Sequence, residues 1–102
     1  MALSKDGAVL RLSPRDNIAV ALKPLDVAAP IEVDDVSVSA SQAIPIGHKV
    51  ALLEIRQGDL VLKYGQTMGR ATVAIAPGEH VHVHNVEGLR GRGDLAAGKA
   101  TA

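Results

Sequence analysis

The pattern Ile-x-x-Gly-x-x-Val occurs three times in this 102-residue chain, at Ile44 to Val50, Ile55 to Val61 and Ile75 to Val81. Each copy ends an apolar run at a glycine, where positive φ costs little, and resumes with a valine at the same offset. A chain that builds one tight corner repeatedly is committed to short extended segments, because little room is left between corners for a helix long enough to pack. The copies start about 11 and then about 20 residues apart. This uneven spacing predicts one compact sheet structure that reuses a favoured turn, not a solenoid.

The segments around the corners agree. Ala8 to Leu12 has β character and ends in the turn formers Ser13-Pro14-Arg15-Asp16-Asn17. Ile18 to Leu22 reads as a buried strand stopped by Lys23-Pro24, and Leu25 to Pro30 as a connection. Ile31-Glu32-Val33 and Val36-Ser37-Val38-Ser39 alternate apolar and polar residues on either side of Asp34-Asp35, the pattern of a hairpin. Lys63 to Ala71 holds two glycines and predicts a further turn or bulge, while Ala51 to Ile55 has room for one helical turn. The expected fold is all-β: a lead-in over 1–7, a domain over 8–86, and a flexible Gly/Arg-rich tail over 87–102 in which Arg90 and Arg92 are the residues suited to docking on a partner.

Charge and composition narrow the function. Eleven basic residues balance eleven acidic ones, so no positive field exists to hold nucleic acid or an anionic membrane. Near-zero net charge also gives little repulsion between copies, which suits a surface covered by another subunit or a second copy. Tyr64 is the only aromatic residue, so stacking platforms for bases or sugars are lacking, and it is expected as a core cover with a wet hydroxyl. The chain has no cysteine, which excludes disulfides and thiolate metal sites. With no apolar run of signal or membrane-span length, a soluble, cytoplasmic protein is expected.

The chemistry concentrates in Gly78-Glu79-His80-Val81-His82-Val83-His84-Asn85, where three of the four histidines alternate. In a strand they would share one face, with Val81 and Val83 turned toward a core. Imidazole titrates near 6.5, so each histidine could ligate a metal, accept a proton or, once protonated, pair with a carboxylate. Residues two apart in a strand lie about 6.5 to 7 Å apart, so two neighbours can share a metal but three need a bend or bulge. His48, two corners earlier, could join the cluster or simply hold a turn, and Lys49 beside it would attract an acidic substrate.

Several stretches together resemble the altronate and galactarate dehydratase family at its small SAF-type domain. They are Asp16-Asn17-Ile18-Ala19-Val20-Ala21-Leu22, Gly47-His48-Lys49-Val50-Ala51-Leu52, Lys63-Tyr64-Gly65, Met68-Gly69-Arg70-Ala71 and the histidine segment, in that order, over roughly residues 8–86. The resemblance implies a β-clip of bent hairpins. It also implies a role as the small subunit, inactive alone, of a hydro-lyase that dehydrates sugar acids, with a divalent metal, iron or manganese, held mainly by a large catalytic subunit. On this resemblance His82 and His84 are the first candidates for catalysis or metal binding. His80 and Asn85 come next as substrate contacts, and His48 and Lys49 complete the candidate substrate site. The small subunit of a sulfolactate sulfo-lyase is similar to the same domain, so sulfite is an alternative leaving group; a non-catalytic SAF-type binding or assembly module is the other alternative.

Overall fold

The computed structural model describes residues 1–88, which form ten short strands and no helix. They are β1 (Ala2–Leu3), β2 (Val9–Arg11), β3 (Ile18–Ala21), β4 (Pro30–Val33), β5 (Val36–Ser39), β6 (Lys49–Ala51), β7 (Leu60–Lys63), β8 (Gln66–Ala71), β9 (His80–Val81) and β10 (Val86–Gly88). An antiparallel sheet runs β1-β2-β3-β6-β9; a second runs β10-β8-β7; β4 and β5 form a separate hairpin. The Asp34-Asp35 turn and the all-β class are as the sequence predicts. Among the described residues no helix is long and apolar enough to cross a membrane.

The corner recurs four times, not three. Backbone hydrogen bonds close the turns Asp26–Ala29 (3.0 Å), Pro45–His48 (3.1 Å), Arg56–Asp59 (2.9 Å) and Ala76–Glu79 (3.1 Å). The third residue of each has positive φ: 73° at Ala28, 83° at Gly47, 90° at Gly58 and 92° at Gly78. The first copy, beginning at Leu25, lacks the glycine by which the others are recognised.

The corners then pair in twos. Leu25 bridges Ile44, and Ile55 bridges Ile75. In the first pair Ala21 donates to the His48 carbonyl and accepts from Gly47 N–H, both at 2.8 Å; in the second, Ala51 does the same with Glu79 and Gly78 at 2.9 and 2.8 Å. Ala40 and Ala71 make the reciprocal bonds at the other corner of each pair. All four alanines are buried, and their small side chains let two backbones meet in the interior without leaving polar groups unpaired. Each clasp carries a hairpin at its far end, β4–β5 or β7–β8, so the second half repeats the architecture of the first. The repeat is imperfect: a register shift at Val61/Leu62 puts a bulge in the second hairpin.

Two aliphatic cores follow from the two clasps. One gathers Val9, Leu25, Ile31, Val33, Ile44, Val50 and Leu52; the other Ile18, Ile55, Val61, Ile75 and Val81. β6 joins them, because Val50 belongs to the first and Ala51 to the second. Each fully buried Ile or Val contributes about 1.5 to 3 kcal/mol, which lets a chain with one aromatic residue fold on aliphatic contacts.

Two expectations are corrected. Ala51 to Ile55 is not a helical turn: it leaves β6 in a bend, and Ile55 exchanges backbone hydrogen bonds of 2.9 and 2.7 Å with Ile75, a partner no local pattern reveals. Tyr64 is not a core cover: it occupies the β7–β8 hairpin tip with φ 62° and is 62% exposed. The expected docking residues Arg90 and Arg92, with the rest of the tail beyond Gly88, lie outside the described residues.

Candidate functional site

The histidine segment is not a straight strand. β9 ends at Val81, and the chain then turns back through His82 to Asn85 before β10. Asn85 imposes the bend. Its side chain is only 4% exposed, with Oδ1 accepting from His82 N–H at 2.9 Å and Nδ2 donating to the His80 carbonyl at 2.8 Å. An asparagine amide thus substitutes for a ladder partner, and the Asn85 and Val86 amides close the turn on the His82 carbonyl at 3.1 Å each. Val81 is buried, as the alternation predicts; Val83 is not, but stands 82% exposed at the tip of the turn.

The bend allows the rings to converge, and β6 supplies the fourth histidine. Lys49 pairs with Val81 and Val50 with His80, so His48, one residue beyond that ladder, comes opposite His82. The two rings stack with centroids 4.2 Å apart at 17°. His48 Nδ1 lies 2.8 Å from His80 Nε2, which makes one of these nitrogens the N–H donor and the other the acceptor. His82 lies nearly parallel to His80, with centroids at 5.4 Å and 11°. One ring nitrogen from each of His48, His80 and His82 falls in a group whose members all lie within 4.8 Å of one another. His84 stands outside that group, its ring tilted 43° against His80 at 5.3 Å.

Electrostatics favours the neutral ring at His80 and at His82. Burial, followed by the proximity of His48, His84, His82 and Lys49, holds His80 below the usual imidazole value. His82 is lowered in the same direction, by desolvation first and then by His48, Lys49 and His84. Lys49 is itself lowered, mainly by burial and then by Lys63. His80 and His82 therefore offer lone pairs at neutral pH, to a proton or to a metal. Beside it lies a shallow pocket of about 240 Å³ lined by Lys49, Met68, His82, Val83, Val86 and Gly88.

Sequence reasoning missed Gln42, whose Oε1 accepts the His80 N–H at 3.0 Å and anchors that residue from across the fold. No local signal marks it, since the contact spans 38 positions. Asn85 has both ends of its amide bonded to the backbone that carries the histidines. Replacing Asn85 by alanine leaves His82 N–H and the His80 carbonyl unpaired, with an expected loss of about 1 to 3 kcal/mol. Asn85→Asp keeps the acceptor but sets a buried carboxylate oxygen against the His80 carbonyl, so it is expected to lose more. Urea unfolding of both variants checks the order, and equal losses would contradict it.

Comparison with known proteins shows the family of the chain. The altronate/galactarate dehydratase SAF domain matches residues 7–89. The chain belongs to this family. Within it, the SAF domain is 42% identical over 76 residues to altronate dehydratase of Escherichia coli (strain K12), and 35% identical over 78 residues to altronate dehydratase of Bacillus subtilis (strain 168). These alignments cover 74% and 76% of the chain but only 15% and 16% of those relatives. The (2R)-sulfolactate sulfo-lyase subunit alpha of Chromohalobacter salexigens is 50% identical over 48 residues, which is 47% of the chain and 51% of that subunit.

Proposed function

We propose that this SAF domain is the small, non-autonomous part of a hydro-lyase acting on sugar acids, completing or covering an active site whose larger part is a separate catalytic subunit. The observation that carries the reading is the convergence of His48, His80 and His82 beside Lys49 on an open edge of the sheet. Dehydration of a sugar acid removes a proton next to a carboxylate and expels hydroxide from the neighbouring carbon, so it needs a base, an acid and a cation for the carboxylate. A neutral imidazole at His82 suits the base, its protonated form suits the acid, and Lys49 suits the carboxylate. His84 and Asn85 complete the face turned to the large subunit, Asn85 by holding the bend. A divalent iron or manganese ion, placed mainly on the large subunit, would supply positive charge to the oxygens of the deprotonated acid. The three clustered nitrogens are a donor set compatible with such an ion.

A second reading has its own support in the similarity to sulfolactate sulfo-lyase subunit alpha: the same face would serve a substrate that loses sulfite in place of water. The test is to recover the large chain that co-purifies with this one. A panel of aldonic acids, aldaric acids and sulfolactate is then assayed with each chain alone and with the two mixed. Turnover that rises on mixing supports the reading, and the productive acid decides the leaving group. A mixture no faster than the large chain alone sinks it.

A further inference from the structure

The geometry points to a divalent transition-metal site built within this chain by the imidazoles of His48, His80 and His82. It goes beyond the hydro-lyase reading: a His82 that holds a metal gives up its lone pair and leaves proton transfer to His84, and metal binding by this chain and turnover on mixing can fail separately.

Three features carry the inference. First, the three nitrogens are already gathered within 4.8 Å. Metal–imidazole bonds of about 2.0 to 2.1 Å place nitrogens about 3.4 Å apart around a tetrahedral ion. The His48–His80 pair at 2.8 Å must open slightly and the widest pair must close by at most about 1.4 Å, movements within reach of partly exposed rings turning about their side-chain bonds. Second, the backbone beneath the rings is fixed. Gln42 holds His80 N–H, while Asn85 holds His82 N–H and the His80 carbonyl. Outer groups of this kind set ligand orientation in metal sites, although here they act on the backbone and not on the ring N–H. Third, the cluster has an unusual composition for a hydrogen-bonded network: three rings of one kind in mutual contact, able to satisfy only some of their nitrogens with one another. A single cation can take a lone pair from all three.

The donor set selects the metal class. Three imidazoles with neither carboxylate nor thiolate in the group suit Zn²⁺, Fe²⁺, Co²⁺ or Ni²⁺ and do not suit Ca²⁺ or Mg²⁺. Three protein ligands leave at least one coordination position for water or an oxygen of a bound molecule. The pocket that His82 shares with Lys49 makes a carboxylate the ligand class favoured there. His84 lies outside the group and is not assigned as a ligand.

The untagged 102-residue chain, stripped with chelator, is titrated with Co²⁺ and followed by calorimetry and by the visible ligand-field absorption of the bound ion. One equivalent is expected to bind, and excess Ca²⁺ is expected not to displace it. His48→Ala, His80→Ala and His82→Ala are each expected to weaken binding by about 100-fold or more, with His84→Ala within about 3-fold of wild type. Circular dichroism accompanies each variant, and His48→Gln and His82→Gln replace any alanine variant that fails to fold. The inference is overturned if the wild-type chain binds no stoichiometric Co²⁺. It is also overturned if loss of His84 weakens binding as much as loss of His82 while His48 substitutions have no effect, which would restore a His82–His84 pair.

Discussion

Replacing Gly78 by alanine is expected to remove about 2 to 5 kcal/mol of stability, a large share of the roughly 5 to 15 kcal/mol available to a small domain. Two effects combine. At φ 92° any residue with a Cβ is strained, by about 1 to 2 kcal/mol. The added Cβ would also overlap the Ser39 carbonyl oxygen, and this neighbour is backbone that cannot rotate away. The contact is tight because the corner is tied to the first clasp: Ser41 N–H donates to the Gly78 carbonyl at 2.9 Å, while Gly78 N–H donates to Ala51 at 2.8 Å. Overpacking of this kind adds about 1 to 3 kcal/mol. Gly47 and Gly58 provide the control, since their φ values are similar but a Cβ there meets nothing within 4 Å. Ala28 already occupies the equivalent place in the first corner at φ 73°. Gly47→Ala and Gly58→Ala are therefore expected to lose only the strain part, about 1 to 2 kcal/mol each. Urea unfolding of the three variants checks the contrast, and a loss at Gly78 no greater than at Gly47 would refute the crowding argument. Because His80 follows two residues later, Gly78→Ala is also expected to disturb the histidine cluster.

Asp16→Ala should be comparably damaging, by about 3 to 5 kcal/mol, for a different reason. The Asp16 side chain is 1% exposed and gathers three backbone amides: Gly65 N–H on Oδ1 at 2.7 Å, and Tyr64 and Ser13 N–H on Oδ2 at 2.8 and 3.1 Å. It thus ties the loop before β3 to the tip of the β7–β8 hairpin, 48 and 49 residues away, and holds Tyr64 in its left-handed conformation. Removing it leaves three amides without acceptors, each such loss being about 1 to 3 kcal/mol and the sum partly relieved by water. Arg11 clamps the Asp16 carbonyl through Nε and Nη2 at 3.0 and 2.8 Å, so the loop backbone cannot easily withdraw to let water in. Asn is not a safe replacement. One end of its amide is a donor facing an amide donor, so Asp16→Asn is expected to fall between wild type and Asp16→Ala. Thermal and urea unfolding measure both, and an Asn variant as stable as wild type would show that a single acceptor oxygen suffices.

These two residues show where sequence reasoning was strong and where it stopped. Gly78 was legible as a corner glycine because a positive-φ turn has a local signature, yet its crowding against Ser39 depends on a packing contact that no spacing encodes. Asp16 read as one of several turn formers; that its carboxylate reaches across to another hairpin follows only from how the halves assemble. Leu25 to Ala29 illustrates the opposite limit. It is a corner in conformation but carries alanine where the pattern expects glycine, so the duplication of the clasp was visible only through its hydrogen bonds.

The histidine segment divides the same way. By itself the sequence determined the all-β class, the three corners that carry glycine, the Asp34-Asp35 hairpin and the gathering of imidazole chemistry near the end of the domain, because these depend on φ preferences and on periodicity within a few residues. Tertiary structure alone decided that the segment bends after Val81, that Val83 leaves the core, and that His48 closes on His80 and His82 while His84 stands aside. The reason is physical: a strand's alternation says which side chains share a face, whereas the distance between two faces is set by the register of β6 against β9 and by one buried asparagine that turns the chain.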